Sequence, residues 1–283
     1  RPYPKAFFMR IFQKAWSYIT FFWFLHKHIK EIDLIFLGAW DFKMLKVFCK
    51  IFGLKGKIAF QFHELEFNKL KYCRAADYCI IPEENRLWIT YFHGKLKRKP
   101  MLLPNIPYIE SFKPSMVPEI INILKSKNFK LLLYQGLIDF NKRCIGEILE
   151  ALKETNNDIH LLIMPSYVSP LSEIKKIKEK IKLLKIDERV HLIDSRPTPE
   201  HLTIVRNVDA GIGLYKPVSL NHIYAAPNRL YEFTCFGIPV ILPDFPSFKA
   251  LALKYPFGIN IANPESITSI SNAISELFKQ DNL

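Results

Sequence analysis

Three observations predict an α/β chain of two domains, each a parallel sheet wound by helices. Short apolar runs alternate with segments of helical period along most of the chain, which is the pattern βαβ units leave in a sequence. Pro100, Pro104, Pro107, Pro114 and Pro118 crowd one segment, which reads as a semi-rigid connection between domains. The stretch from Pro227 to Ile241 carries a helix into a buried strand across Gly237. With 283 residues, 49% of them hydrophobic, the chain can hold two cores, and the boundary is placed near residue 112, giving domains 1–112 and 113–283.

Residues 5–28 read as one helix, with Phe8, Ile11, Phe12, Trp16, Ile19 and Trp23 at helical spacing. That stripe is expected to pack on a core; an interfacial role is the alternative, because Phe7, Phe21 and Phe22 lie opposite beside Arg10 and Lys14. The segment is not a membrane span, since Lys14 and Lys27 bracket an apolar run well short of the roughly 20 residues needed. No small-residue cleavage site follows Phe24 and Leu25, so a signal peptide is not indicated. Strands are expected at 33–37, 57–62, 78–81 and 101–103, with helices at 44–52, 68–76 and 83–92. In the second part strands are expected at 130–134, 159–164, 190–193, 210–214 and from 238, and helices at 145–154, 171–184, 199–205, 227–236 and 265–279.

Forty Lys and Arg against 27 Asp and Glu leave a net charge of +13, and residues 1–110 hold 19 of the basic and 9 of the acidic groups. That asymmetry points to an anionic partner for the first part, such as a membrane surface or a lipid phosphate. No nucleic-acid motif accompanies it, so nucleic acid is not expected. Five cysteines without Cys-x-x-Cys spacing indicate neither a zinc site nor a disulfide framework, and a reducing cytosol fits them.

The chemistry concentrates in Pro227-Asn228-Arg229-Leu230-Tyr231-Glu232-Phe233-Thr234. Pro227 suits a helix start and Gly237 a left-handed stop, which gives a helix of about three turns. Leu230, Phe233 and Thr234 would face the core, with Asn228 and Glu232 on the other side. Free amides at Asn228, Arg229 and Leu230 suit phosphate, and a carboxylate one turn on can accept both hydrogen bonds of a ribose diol. Phosphate and ribose together mean a nucleotide.

This wording, PNRLYEF followed by GIPVI and preceded by Gly211-Ile212-Gly213-Leu214-Tyr215 and Asn221, resembles the donor-binding half of retaining glycosyltransferases of the GT-B fold. The resemblance runs over roughly 131–277, more weakly over 33–107, and implies two Rossmann-like domains facing a cleft, with the N-terminal one truncated or reduced because about four strands fit before the linker. It implies transfer of a sugar from a nucleotide diphosphate donor to a glycan or lipid-linked glycan, with retention, by a cytoplasmic protein at the inner face of a membrane. Donor-binding roles fall by resemblance on Gly136, Lys142, Arg143, Arg196, Asn228, Arg229, Leu230 and Glu232. Lys142 and Arg143 compete for one phosphate-contacting position, which the family usually places six residues after the glycine. Catalytic roles fall on His63 and Glu64, which follow the second expected strand, while Asp41 follows the first with Trp40 where the family usually has His. The second Glu that many members carry eight residues before the ribose-binding one is Tyr224 here. No Asp-x-Asp occurs, so neither a metal nor any other cofactor is expected, and cations with helix amides would stabilise the leaving diphosphate. The alternatives are a sugar-nucleotide epimerase of the same fold and a non-catalytic partner subunit.

Overall fold

The structure, a computed structural model, describes residues 4–28, 30–38, 56–109, 112–255 and 258–279. It divides into two compact units between Leu103 and Pro104, ahead of the boundary expected near 112. The reason is local. The proline-rich segment lies along the second unit: Asn105 Nδ2 donates to the Ala226 carbonyl at 3.0 Å, the Ser115 amide donates to Thr203 Oγ1 at 2.8 Å, and the Phe112 ring sits 5.5 Å from Phe236.

The first unit contains α1 (Pro4–Lys27), β1 (Leu34–Leu37), β2 (Lys57–Gln61), α2 (Leu70–Ala75), β3 (Tyr78–Ile81), α3 (Glu84–His93) and β4 (Met101–Leu102). Its four described strands are parallel in the order β1-β2-β3-β4. Glu83 caps α3, its carboxylate accepting from the amides of Asn85 at 3.0 Å and Arg86 at 2.7 Å. The expected core stripe of α1 is corrected: Phe12, Trp16, Ile19 and Trp23 are 60–75% exposed, and Phe21, Phe22 and Leu25 pack on the core instead. This helix is apolar on more than one face, so its own periodicity does not choose which face the sheet covers. The expected helix 44–52 and Asp41 lie outside the described residues.

The second unit runs α4 (Glu119–Ser126), β5 (Lys130–Gly136), α5 (Ile145–Lys153), β6 (Ile159–Pro165), α6 (Leu171–Leu184), β7 (Val190–Leu192) and α7 (Leu202–Val205). It continues with β8 (Ala210–Ile212), α8 (Leu220–Ile223), α9 (Asn228–Thr234), β9 (Val240–Pro243), α10 (Pro246–Lys254), β10 (Ile259–Ala262) and α11 (Ile267–Lys279). All six strands are parallel, in the order β10-β9-β8-β5-β6-β7. The alternation of side chains along β5 explains its unbroken apolar run. Leu132 and Tyr134 enter a core with α5, α6 and α11, while Leu131 and Leu133 enter one with α4, α7, α9 and α10. Over its described length α11 packs on α5 and β10 of its own unit.

The chain winds outward from β5 to β7, then returns to β8 and winds the other way, so strand order reverses between β5 and β8. In open α/β sheets a crevice opens at such a point, outside the carboxyl ends of the two strands.

A histidine pair sits further along the sheet. His160 Nδ1 lies 3.0 Å from His191 Nε2, with rings parallel to within 3°, and Phe129 covers His160 at 4.0 Å. Burial, helped by the charges of His191 and Arg189, lowers His160 to about 4, and burial lowers His191 as well. The unfolded chain therefore binds more protons than the folded one below an ordinary histidine value of about 6.5. Stability is full above that value and is lost as pH falls toward about 4. Melting temperatures between pH 7.5 and 4.5 should show the loss, and His160→Leu should reduce its slope; an unchanged slope in the variant would assign the loss to other groups.

Candidate active site

At the switch point the sequence places a glycine at the end of β5 and another just after β8, and a long cation fills the space. The Arg229 side chain, only 8% exposed, passes beside Gly136 and Gly213. A Cβ on Gly136, where φ is +117°, would stand 2.8 Å from Arg229 Nη2, and one on Gly213 would stand 2.7 Å from Cδ. Glycine is required at Gly136 by that backbone and favoured at Gly213 by the close approach of the arginine stem. The guanidinium lies 5.3 Å from the Tyr134 ring centroid and 5.4 Å from that of Tyr215.

Arg143 reaches the same place from the loop after β5. A bridge pairs its backbone with Tyr215, and its guanidinium lies 4.3 Å from that ring. Burial, the larger cause, and the neighbouring charge of Arg229 both lower its pKa, yet a guanidinium stays cationic in water. Arg143 Nε and Nη1 and Arg229 Nη1 are buried without a hydrogen-bond partner. Among the described residues neither guanidinium has a carboxylate within ion-pair distance. Two cations close together with buried N–H groups to spare are suited to a polyanion.

Beside them stands the carboxylate of Glu232, with its side chain 15% exposed. Gln135 Nε2, at the end of β5, donates to Oε2 at 2.8 Å, and His201 Nε2, at the start of α7, lies 3.2 Å from Oε1. Glu232 is thus held in place by two other elements and is not the freely solvated helical side chain that its spacing implied.

The helix carrying Glu232 is seven residues long, two turns instead of three. Pro227 is its N-cap (φ −74°, ψ 131°), and the chain turns out through Gly237 at φ +70°, with the Ile238 amide returning to Phe233 at 3.1 Å. Leu230 and Phe233 are buried as expected, but Thr234 is exposed, its hydroxyl donating back to the Leu230 carbonyl at 2.9 Å. The amide of Leu230 is likewise corrected: it donates to the Pro227 carbonyl at 3.2 Å and is not free. So short a helix has a weak dipole, and the positive charge here comes from the two arginines.

No family model matches the sequence, and no curated protein matches it. Solved structures do. A glycosyltransferase from Rickettsia africae superimposes at a TM-score of 0.71 with 13% identity, over 91% of this chain and 70% of its own. HepE of Anabaena, solved in complex with UDP, superimposes at 0.68 with 13% identity, over 93% of this chain and 72% of its own. The lipopolysaccharide outer core galactosyltransferase WaaB, in its apo form, superimposes at 0.63 with 16% identity, over 95% of this chain and 72% of its own. The chain has the GT-B fold. At these identities the likeness concerns architecture, and the second unit of this GT-B chain carries the switch-point cluster.

Of the residues singled out by sequence, the structure brings Gly136, Arg143, Arg229 and Glu232 together. Between the competing cations, Arg143 turns into the cluster, while Lys142 is exposed and faces Asp139 at 3.8 Å. Asn228 is exposed at the start of α9, and Leu230 belongs to the core. Arg196 lies on the loop after β7, which Ser195 and Tyr167 tie down, and no described hydrogen bond or ion pair joins it to the cluster. His63 and Glu64 follow β2 in the first unit, both exposed, with the His63 carbonyl accepting from the buried Arg86.

Sequence reasoning missed Gln135, His201, Tyr134 and the part Tyr215 plays. Gln135 had a signal, a single amide ending an otherwise apolar strand just before a glycine. His201 had none, because it meets Glu232 only through the fold. Among the described residues no three His, Cys, Asp or Glu side chains converge as a metal site would need, and no helix is long and apolar enough to cross a membrane.

Proposed function

We propose that the chain is a glycosyltransferase that moves a sugar from a nucleotide diphosphate donor to a glycan or lipid-linked glycan. The carrying observation is the pair of buried guanidinium groups with unpaired N–H donors at the switch point, beside a fixed carboxylate. Arg143 and Arg229 would hold the diphosphate and neutralise the charge that grows on it as the glycosidic bond breaks; donors fixed in place need no reorganisation at that moment. Glu232 accepts from the ribose diol. HepE has been solved in complex with UDP and with UDP-glucose, which supports a nucleoside diphosphate here and makes uridine the first base to try.

The same reading makes transfer metal-independent, since two cations already face the diphosphate, and retaining, by resemblance. Lys142 and Arg196 are proposed toward phosphate and base, Asn228 at the helix start, and His63 with Glu64 as catalytic residues. We place the protein at the cytoplasmic face of a membrane; the net charge of its first 110 residues and the exposed stripe Phe12-Trp16-Ile19-Trp23 support that placement.

One experiment tests the whole reading. Calorimetry against UDP-, GDP-, ADP- and dTDP-sugars in excess EDTA should find one donor that binds, and that donor should be consumed with a lipid-linked acceptor shown on anionic vesicles. Binding restored only by magnesium or manganese would refute metal independence, binding without turnover would favour a non-catalytic subunit, and no binding to any donor would refute the reading itself.

A further inference from the structure

We infer that Gln135 and His201 are positioning residues that fix Glu232 for a diol and make the site select ribose over deoxyribose; this rests on the nucleotide-donor reading. Three elements converge there, β5 through Gln135, the start of α7 through His201 and α9 through Glu232. Gln135 and His201 are 5% and 9% exposed. An amide has a donor end and an acceptor end, and one N–H of the Gln135 donor end goes to Glu232 at 2.8 Å. Its Oε1 is therefore left as an acceptor, and it is buried without a partner.

The histidine follows the same logic. A carboxylate accepts only, so His201 Nε2, 3.2 Å from Oε1, carries the proton of that contact. Nδ1 is buried and unpaired as well, an acceptor in the neutral ring and a donor in the charged one. The valences the trio leaves over are mostly acceptors, Gln135 Oε1, the remaining lone pairs of Glu232 and, in the neutral ring, His201 Nδ1, beside one donor, the second N–H of Gln135 Nε2. Native structures rarely leave buried polar atoms unmet, and the complement of an acceptor-rich cluster is a group rich in donors. A ribose diol offers two hydroxyl donors, and a deoxyribose offers one fewer. An ammonium also donates, but the unpaired guanidinium groups of Arg143 and Arg229 next to Glu232 repel a cation.

The test measures Kd for UDP, GDP and ADP, for their 3′-deoxy counterparts and for inorganic pyrophosphate. It compares wild type with Gln135→Met, His201→Phe and His201→Gln, with melting curves to show that each variant is folded. Wild type should prefer the ribonucleotide by about tenfold or more, the loss expected when a charge-assisted hydrogen bond is removed. Gln135→Met and His201→Phe should shrink that preference to about threefold or less while pyrophosphate affinity, which reads the arginines, stays within about twofold. His201→Gln, which keeps an N–H toward Glu232, should retain most of it. An undiminished preference in both apolar variants would overturn the inference and leave the donor reading standing. A parallel loss of pyrophosphate affinity would also overturn it, by showing that the two residues merely support the site's shape. Failure of wild type to bind any of the three nucleotides would remove the donor reading and this inference together.

Discussion

Arg229→Met should weaken nucleoside diphosphate binding by about 100-fold or more, because a guanidinium offers two parallel charge-assisted bonds worth roughly 1.5–3 kcal/mol each. Methionine fills a similar channel between Gly136 and Gly213, so the change removes charge more than volume. The more telling expectation concerns stability. The Arg229 guanidinium is buried with an unpaired N–H and has no ion-paired carboxylate among the described residues; burial opposes its charge, while Tyr215, Tyr134 and Glu232 favour it. Replacing such a charge by an apolar side chain of similar size is commonly neutral or stabilising by about 1–4 kcal/mol. Melting of Arg229→Met should therefore hold or rise while affinity collapses, the pattern of a site whose strain is relieved by its ligand. A variant that melts well below wild type and binds UDP as tightly would make Arg229 a structural cation. Arg229→Lys should recover little, since a lysine offers one compact charge and no fork.

Gly211→Ala should destabilise the second unit more than any other single methyl group added to the switch-point strands. The new Cβ would stand 2.4–2.5 Å from three carbons of the Phe233 ring, which is fully buried. Phe233 belongs to α9, so the clash presses on the helix that carries Arg229 and Glu232. Overpacking of this kind costs roughly 1–3 kcal/mol and sometimes more, and at roughly 2–4 °C per kcal/mol for a unit of this size the melting temperature should fall by about 5–10 °C. The cause can be isolated, because Phe233→Leu in the same chain makes room for the methyl group. The double variant should be more stable than the sum of the two single changes predicts. Additive losses would mean that the ring is not what Gly211 accommodates.

Much of the second unit was legible. Helix α6 at 171–184 and the starts of β5, β6, β7 and β8 coincide with their expected positions, because a buried parallel strand and a helix with one apolar stripe leave different periods. What failed had physical causes. Helix α1 is apolar on more than one face, so the buried face could not be told from its spacing, and the stripe expected inside is exposed. Strand β10 is four residues long and pairs only with β9, and the residues after β9, including α10, drew no assignment. The helix around Glu232 came out a turn short, since the turn through Gly237 and Ile238 takes up the residues that would have extended it.

The sequence by itself determined the α/β class and a carboxylate one turn into a helix that follows a proline and precedes a glycine. These are local matters, since period, turn chemistry and helix spacing are properties of neighbouring residues. The tertiary structure alone decided that strand order reverses between β5 and β8, and everything else about the site follows from that reversal. It brings residues 134–136, 143, 201, 213–215, 229 and 232 to one place, turns Arg143 and not Lys142 into the cluster, sets two arginines there with no ion-paired carboxylate among the described residues, and closes Gln135 and His201 around Glu232. No spacing along the chain encodes those meetings, because the partners stand up to 97 residues apart and are joined only by the order in which the strands are laid side by side.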